Sequence, residues 1–340
     1  MIQIDNSNIL SDTTSRRNIP IITGEQLYKI TRKLWKFKTV YPQAAMNFLK
    51  KEPFAASFDL THKCNARCDY CYYYLRPQEQ RNESLSDEDL LAFIRKVRRN
   101  IPIVHATFIG GEPTLRAPVL REVVDYFPHS WVITNGTRGF NLARPDCWIW
   151  SLDGLPETHN RIKAIRKTKP YKDYWSKSVN QLSTASAPVV TNTNLNRITI
   201  KDLVPYIHKM AKTDIRGMIL SFYTPFDGEN ANLALSDKQR TKALKIIDNL
   251  RSEYDNFILT TAYMSHYYSF RKGGLESWNS PETCPVAIYS RAYSSNGKMY
   301  PQCAMGKGAH CDRCGCGMSP LFKSLLRLDY KTMKWLLTVV

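Results

Sequence analysis

The chain has 340 residues, 43% of them apolar, which suffices for a sizeable core in one large domain or in a main domain with a smaller companion. Lys and Arg outnumber Asp and Glu by 48 to 30, and the net charge of +18 favours an anionic partner such as nucleic acid, a phosphorylated molecule or a membrane surface. No run of about 20 apolar residues occurs, so no transmembrane helix is expected. Residues 1–18 are polar and include acidic residues, which is unlike a signal peptide. We therefore expect a disordered lead-in and a cytoplasmic protein.

Nine cysteines are present, and eight of them fall into two groups. Three lie within residues 64–71, and five lie within residues 284–316. This clustering is unlike a secreted disulfide framework and indicates metal binding in a reducing compartment. Cys147 stands alone before an apolar stretch, where a buried structural thiol is expected.

The first group has the spacing C-x3-C-x2-C, formed by Cys64, Cys68 and Cys71. It follows an apolar run at residues 54–60 that is typical of a short buried strand. Three thiols this close together cannot complete a four-thiolate site by themselves. If they bind a cubic iron–sulfur cluster, one iron is left open to another molecule, which indicates chemistry rather than passive electron storage.

From residue 54 onward, strand-like runs alternate with helical ones. Strands are predicted at residues 54–60, 103–109, 131–134, 148–152, 188–192 and 217–222. Helices are predicted at residues 86–99, 119–126, 171–182, 200–210 and 237–250, the last behind an N-cap at Ser236. Six strand–helix units predict an α/β fold with a parallel sheet and crossover helices.

Glycine-rich and polar segments follow these strands, and the carboxyl ends of parallel strands are where such folds bind ligands. The segments are Gly110-Gly111-Glu112-Pro113, Thr134-Asn135-Gly136, Ser151-Leu152-Asp153-Gly154 and Asn192-Thr193-Asn194. Adjacent glycines let a backbone approach a ligand closely, and an acid can accept hydrogen bonds from an ammonium group. Each segment alone could be an ordinary turn.

Their order carries more information than any one of them. Three cysteines with Tyr70 before the third, then Gly-Gly-Glu, then Ser-x-Asp, resemble the radical S-adenosylmethionine (radical SAM) superfamily over residues 54–222. The resemblance implies a partial (βα)6 TIM-like barrel and a [4Fe–4S] cluster on Cys64, Cys68 and Cys71. It also implies that the open iron binds S-adenosylmethionine (SAM) and that one electron splits SAM to a 5′-deoxyadenosyl radical. A reductant such as flavodoxin or ferredoxin would supply that electron.

The same resemblance implies roles for residues around SAM. Gly110, Gly111 and Glu112 would hold the methionine amino group, and Ser151 and Asp153 would meet its ribose or methionine part. Tyr70 would lie near the adenine, Arg161 would pair with the carboxylate, and Asn135 is expected at the same site. No residue can be named as a catalytic acid or base.

The second group consists of Cys284, Cys303, Cys311, Cys314 and Cys316. An Asn-Gly pair at residues 296–297 predicts a β-hairpin over residues 289–300 between the first two of them. Zinc is one candidate, because C-x2-C pairs occur in many structural zinc sites. However, the region resembles the SPASM and twitch extensions of radical SAM enzymes, which implies an auxiliary [4Fe–4S] cluster. We predict one such cluster, on Cys284, Cys303 and two of the last three cysteines.

Two basic amphipathic segments flank the predicted barrel, at residues 25–49 and 321–340. Each either packs on the barrel or lies on an anionic lipid surface, which favours this mixture of Trp, Leu and Lys. The predicted division is a lead-in and helix at residues 1–52, a barrel at residues 53–260 and a cysteine-rich extension at residues 261–340.

The function predicted from the sequence is radical activation of a C–H bond, or radical addition, on a lipid or other anionic substrate. Peptide- or tetrapyrrole-modifying chemistry of the SPASM type is the alternative within the same superfamily. A non-catalytic iron–sulfur or zinc protein that binds nucleic acid is the alternative of another class. The chain contains no recognisable nucleic-acid module, so nucleic acid is not expected as a partner.

Overall fold

The computed structural model of the protein describes residues 24–75, 84–163, 173–227, 231–254, 256–270 and 272–338. The lead-in predicted at residues 1–18 lies outside these ranges. No helix within them is long and apolar enough to cross a bilayer.

A parallel sheet forms the centre of the fold. Its strands in the described residues are β1 (Ala55–Asp59), β2 (His105–Ile109), β3 (His129–Thr134), β4 (Cys147–Ser151), β5 (Val189–Leu195), β6 (Gly217–Phe222) and β7 (Ser290–Tyr293). The sheet order is β6-β5-β4-β3-β2-β1-β7, so consecutive strands from β1 to β6 are neighbours. All six predicted strands are confirmed, and the open, barrel-like arrangement is the predicted partial barrel.

The seventh strand was not predicted as part of this sheet. β7 is the first arm of the predicted hairpin, and it pairs in parallel with β1, Ala55 opposite Ser290. The Asn-Gly turn then reverses the chain, and the amide of Tyr300 donates to the carbonyl of Ala292 at 2.8 Å. The hairpin is therefore present, but the start of the cysteine-rich region extends the main sheet instead of standing apart from it.

Helices connect and cover the strands. They are α1 (Gly24–Lys36), α2 (Val40–Leu49), α3 (Tyr72–Leu75), α4 (Asp87–Asn100), α5 (Ala117–Val123), α6 (Pro156–Lys163), α7 (Tyr174–Val179), α8 (Leu203–Met210), α9 (Asp237–Glu253), α10 (Ala262–Tyr268), α11 (Pro285–Tyr289), α12 (Met318–Leu326) and α13 (Tyr330–Thr338). The N-cap predicted at Ser236 is confirmed, and Gln239 completes a capping box. The single helix predicted at residues 25–49 is two helices.

The sheet has an apolar layer on each face, because alternate side chains of a strand point to opposite sides. Trp148 and Trp150 of β4 are fully buried in the larger layer, under helices α4, α5, α8 and α9. Ile149 of β4 faces the smaller layer, where α12 and α13 contribute Leu321 and Trp335. The C-terminal amphipathic segment therefore packs on the barrel, the first of its two predicted placements.

The N-terminal helix α1 is held by charge at the amino ends of the strands. Both Lys29 and Lys33 contact one carboxylate oxygen of Asp146, which directly precedes β4 and is 1% exposed. The other oxygen accepts a hydrogen bond from the Ser130 amide at 2.8 Å. Two lysines expected on a solvated face thus anchor the helix to the barrel.

Removing the Asp146 charge should loosen this anchor. Burial by itself would raise the pKa of Asp146, but the charges of Lys33 and Lys29 bring it below the usual value. A lowered pKa contributes stability that is complete above the unfolded pKa of about 3.9 and is lost as the pH falls through the folded pKa. We expect Asp146→Asn to lower the free energy of unfolding by about 3 kcal/mol near neutral pH.

Urea unfolding from neutral pH down to about pH 2 measures this difference, which should shrink below the unfolded pKa of about 3.9. Asp87→Asn is the matched control, because Asp87 pairs with Arg116 while more than half exposed, and should cost less than about 1 kcal/mol. A loss for Asp146→Asn no larger than that of the control would contradict the anchor.

Candidate functional site

Both groups of cysteines face one cavity. The cavity has a volume of about 320 Å³ and is lined by residues from all seven strands. Its wall includes Cys64, Cys68 and Cys71 from the loop after β1, and Cys303 and Cys316 from the C-terminal region. None of these thiols forms a disulfide. The fold therefore brings together two cysteine groups that lie more than half the chain apart in sequence.

The loop carrying the first group is fixed by the glycines after β2. The amide of Gly111 donates to the carbonyl of Thr61 at 2.8 Å, and that of Glu112 donates to the carbonyl of Lys63 at 2.9 Å. These bonds continue the β1–β2 pairing up to the residue before Cys64. A Cβ at Gly111 would lie 2.1 Å from the Lys63 carbonyl oxygen, so no larger residue fits. The two glycines therefore let the cysteine loop approach the segment after β2. The sequence had suggested that they let a ligand approach.

Glu112 lies buried beside this loop with its carboxylate held by neutral donors. One oxygen accepts from the Thr114 amide and from the hydroxyls of Thr114 and Thr134, and the other accepts from the Asn135 amide at 2.8 Å. Burial raises the pKa of the Glu112 carboxyl, and these hydrogen bonds oppose the rise. No cationic side chain forms an ion pair with Glu112 among the described residues. A buried carboxylate of this kind favours a cationic ligand.

Asn135 connects the third strand to the cysteine loop. Its side-chain amide donates to the Asn65 side chain at 2.8 Å and reaches the sulfur of Cys64 at 4.0 Å. The Asn65 amide in turn donates to the Thr137 hydroxyl at 2.8 Å. Asn135 therefore positions Cys64, in addition to lining the cavity.

Asp153 is paired with a lysine that the sequence did not single out. The Lys163 ammonium lies 3.2 Å from one carboxylate oxygen of Asp153, and both residues are almost fully buried. The other oxygen accepts from the Asn194 amide at 2.9 Å. Burial raises the pKa of the Cys68 thiol to about 11, and the neighbouring Lys163 opposes the rise. Lys163 thus bridges the first cysteine group and the Ser-x-Asp segment.

Arg161 occupies the opposite side of the same helix. It is exposed and does not line the cavity, because residues two apart on an α-helix point about 200° away from each other. The other predicted SAM-contacting residues all line the cavity: Tyr70, Gly110, Gly111, Glu112, Asn135, Ser151 and Asp153. The buried His159 and Ile162 share a face with Lys163, and this i, i+3, i+4 pattern could have identified it.

Tyr70 packs inside the site rather than at its rim. Its ring meets that of Tyr223 edge to face, with centroids 6.0 Å apart. Burial, followed by the charge of Asp153, raises the pKa of Tyr70 well above its usual value, so the phenol is neutral. The two rings give this end of the cavity an aromatic wall.

The five C-terminal thiols also converge. Burial raises the pKa of Cys303 to about 12, and the nearby Cys316, Cys284 and Cys311 raise it further. The Cys284 sulfur lies 3.3 Å from the Ser319 hydroxyl, and the Cys314 sulfur accepts from Thr224. All five of these thiols are partly exposed.

A glycine again fixes the loop that carries these thiols. The Phe222 amide of β6 donates to the Gly315 carbonyl at 3.0 Å, and a Cβ at Gly315 would lie 1.8 Å from the Phe222 carbonyl oxygen. The Cys314-Gly315-Cys316 segment therefore lies directly on the edge of β6. His310, next to Cys311 in the sequence, forms a hydrogen bond with Asp227 at 2.9 Å.

Both donor sets fit iron–sulfur clusters, one with three thiols and one with five. In the described ranges, no three His, Cys, Asp or Glu side chains have the spacing of a single-ion site. A cluster places its thiolates on different irons and does not need that spacing. Cys147 is fully buried in the smaller apolar layer, as predicted for a structural thiol.

A parallel partial barrel with three cysteines after its first strand defines a class of SAM-dependent iron–sulfur enzymes. The family model described as the Radical SAM superfamily matches residues 58–233. The chain belongs to the radical SAM superfamily, whose enzymes use a [4Fe–4S] cluster and SAM.

Curated relatives match parts of the chain. PqqA peptide cyclase of Methylorubrum extorquens (strain PA1) is 22% identical over 227 residues, which cover 62% of this chain and 57% of that protein. The chain thus matches little more than half the length of that relative. A probable GTP 3′,8-cyclase of Saccharolobus islandicus (strain L.S.2.15 / Lassen #1) is 41% identical over 64 residues, 19% of this chain and 20% of that protein.

Solved structures share the fold. Native anSMEcpe with bound AdoMet has a TM-score of 0.54 at 19% identity, covering 79% of this chain and 80% of that one. Streptococcus suis SuiB bound to S-adenosylmethionine has a TM-score of 0.51 at 12% identity, covering 93% and 70%. These SPASM-type neighbours confirm the predicted fold, and the cysteine-rich C-terminal region is consistent with them.

The close approach at Gly111 can be tested by adding one methyl group. Gly111→Ala should push the cysteine loop away from β2, destabilise the protein by about 2–4 kcal/mol and lower iron incorporation after anaerobic reconstitution. Gly24→Ala is the control, because nothing lies within 4 Å of the added Cβ there. Iron and sulfide per chain are the readout. Equal iron in both variants would show that the loop does not depend on this contact.

Proposed function

We propose that this radical SAM enzyme modifies a peptide, with one [4Fe–4S] cluster on Cys64, Cys68 and Cys71 and an auxiliary cluster on the C-terminal cysteines. The observation that carries the proposal is one cavity whose wall holds Cys64, Cys68 and Cys71 together with Cys303 and Cys316. Relatives support the substrate class. One is a peptide cyclase by name, and solved structures include anSMEcpe with the Cp18Cys peptide and SuiB with the precursor peptide SuiA.

When bound, the first cluster supplies the electron that cleaves SAM and so provides a radical able to activate a C–H bond. The chain's own residues would bind and orient SAM. Glu112, a buried carboxylate with neutral donors, suits the SAM ammonium. Tyr70 and Tyr223 would flank the adenine and exclude water from that end of the cavity. A low-potential reductant such as flavodoxin or ferredoxin remains a prediction.

Lys163 takes the role that the sequence gave to Arg161. We propose that its buried ammonium, already 3.2 Å from Asp153, pairs with the SAM carboxylate. A buried charged donor is worth about 1.5–3 kcal/mol, and its loss leaves Asp153 without its cation.

Lys163→Gln should therefore weaken SAM binding about tenfold or more. Arg161→Gln, two residues earlier on the same helix but exposed, should leave SAM binding unchanged. Equilibrium dialysis of labelled SAM against the reconstituted protein compares the two. A loss of affinity in Arg161→Gln with none in Lys163→Gln would reverse the assignment.

For the auxiliary cluster, we propose Cys284, Cys303, Cys314 and Cys316 as ligands. Cys311 would be the fifth thiol, since burial raises its pKa and the nearby acids Asp312 and Glu282 raise it further, which disfavours its thiolate. This choice refines the sequence prediction, which required two of the last three cysteines.

The remaining cavity wall suggests which peptide residue enters. Its lining is largely apolar and comes from β3, β4, β6, α10, α12 and α13: Trp131, Ile149, Ile219, Met264, Leu321 and Trp335. Apolar surface of this kind stabilises an apolar side chain by removing it from water. We therefore propose that the reacting residue of the peptide is apolar.

A membrane-surface role is the second candidate, supported by α1. Four of its large apolar side chains stay exposed: Leu27 at 55%, Tyr28 at 68%, Leu34 at 48% and Trp35 at 76%. Arg32 and Lys38 are exposed beside them, as an anionic lipid surface requires. The C-terminal segment no longer supports this role, because Trp335 is buried.

Release of 5′-deoxyadenosine from SAM and dithionite distinguishes these proposals. We expect release to rise with short synthetic peptides that have Leu at the centre, and less with Asp at the centre. Cys68→Ala should abolish release, and Cys147→Ala should retain it. Stimulation only by vesicles of anionic lipid would favour the membrane role over a peptide substrate. No release, with intact cluster absorbance, would contradict the enzyme assignment to this site.

A further inference from the structure

Arg240 is a buried cation without a carboxylate partner. It lies on α9 and is 3% exposed. Within the described ranges it forms no ion pair, and the nearest candidate, Asp237, pairs with Arg313 instead at 3.0 Å. Burial lowers the pKa of the Arg240 guanidinium to about 10, which still leaves it charged near neutral pH.

The surroundings of Arg240 join β6 to the auxiliary cysteines. Its guanidinium donates to the carbonyl of Cys314 at 2.8 Å and to that of Arg313 at 3.4 Å. Three aromatic rings enclose the charge, those of Phe222, Tyr268 and Phe270, with centroids 4.6, 5.4 and 5.3 Å away. Arg240 thus holds the loop carrying Cys314 against the sheet from one side, while Gly315 contacts β6 from the other.

Carbonyls and rings compensate a buried cation only in part. Moving a charge out of water is costly unless an opposite charge compensates it, and the Nε of Arg240 has no hydrogen-bond partner. The Cys314 thiolate is one of the anionic charges that act on the Arg240 guanidinium, and the backbone carbonyl of Cys314 already accepts from Arg240. A filled auxiliary site, with four thiolates around its metal, is anionic and would supply this charge.

We propose that Arg240 is the charge partner of the auxiliary cluster: it positions the Cys314 loop and favours the reduced, more negative state of the cluster. This inference rests on the proposed auxiliary cluster. Two consequences follow from the charge. Removing it should make the reduction potential of the cluster more negative, because net charge near a cluster sets its potential. Removing the charge should also destabilise the cluster-loaded protein more than the metal-free protein.

Matched variants separate charge from burial. Arg240→Met removes the charge, and Arg240→Lys retains it without the forked geometry. Arg251→Met is the control, since Arg251 is also buried on α9 but pairs with Asp248 at 2.8 Å and contacts no cysteine. All are placed in the full chain with Cys64, Cys68 and Cys71 replaced by Ala, so that only the auxiliary cluster contributes.

A redox titration followed by electron paramagnetic resonance gives the potential. We expect a more negative potential in Arg240→Met, a smaller shift in Arg240→Lys and none in Arg251→Met. An unchanged potential in Arg240→Met with the cluster intact would overturn the proposal. If Arg240→Met takes up no cluster, Arg240→Lys must restore uptake, and failure to do so would also overturn it.

Thermal unfolding provides the second readout. Arg240→Met should lower the melting temperature of the cluster-loaded protein more than that of the metal-free protein. An equal decrease in both would show that Arg240 only packs, and this result would overturn the proposal. The iron content of the parent chain tests the auxiliary cluster independently of the role of Arg240. Zinc, or no metal, on the five C-terminal cysteines of the parent would refute the proposed auxiliary cluster, whatever Arg240 does.

Discussion

The site depends on one close contact between two backbones. The loop from Thr61 to Lys63 lies against Gly110 and Gly111 so tightly that a single Cβ would overlap it. This contact extends the β1–β2 pairing into the loops and places Cys64 at the carboxyl edge of the sheet. It also places the buried Glu112 beside the thiols. The cysteine motif and the Gly-Gly-Glu motif therefore form one structural unit, and neither can be positioned without the other.

The other cysteine group is held by a close backbone contact of the same kind. Gly315 contacts the backbone of Phe222 at the outer edge of β6, and β7 joins β1 at the opposite edge of the sheet. The cysteine-rich region is thus built onto both edges of the barrel sheet. Its thiols Cys303 and Cys316 reach the cavity that the first group lines. This arrangement is the basis of the proposal that two clusters serve one substrate site.

The sequence predicted most of the sheet because its strands are apolar, short and separated by well-marked helices. The cysteine groups and the segments after the strands were identifiable because their spacing is local. Features that depend on distant partners were missed. β7 has only four residues and is recognisable as part of the sheet only through its pairing with β1. Lys163 lies only two residues after Arg161, and only helix geometry separates the two. The inward-facing lysines of α1 could not be identified without Asp146, since charged residues are expected on solvated faces.

The central claim is that the cluster on Cys64, Cys68 and Cys71 has an open iron that binds SAM inside the shared cavity. The most direct measurement is electron–nuclear double resonance of the reduced protein with SAM labelled by nitrogen-15 in its amino group and oxygen-17 in its carboxylate. The account predicts hyperfine coupling of both nuclei to the cluster in the chain that lacks the five C-terminal cysteines. An intact cluster with no coupling to either nucleus would contradict it.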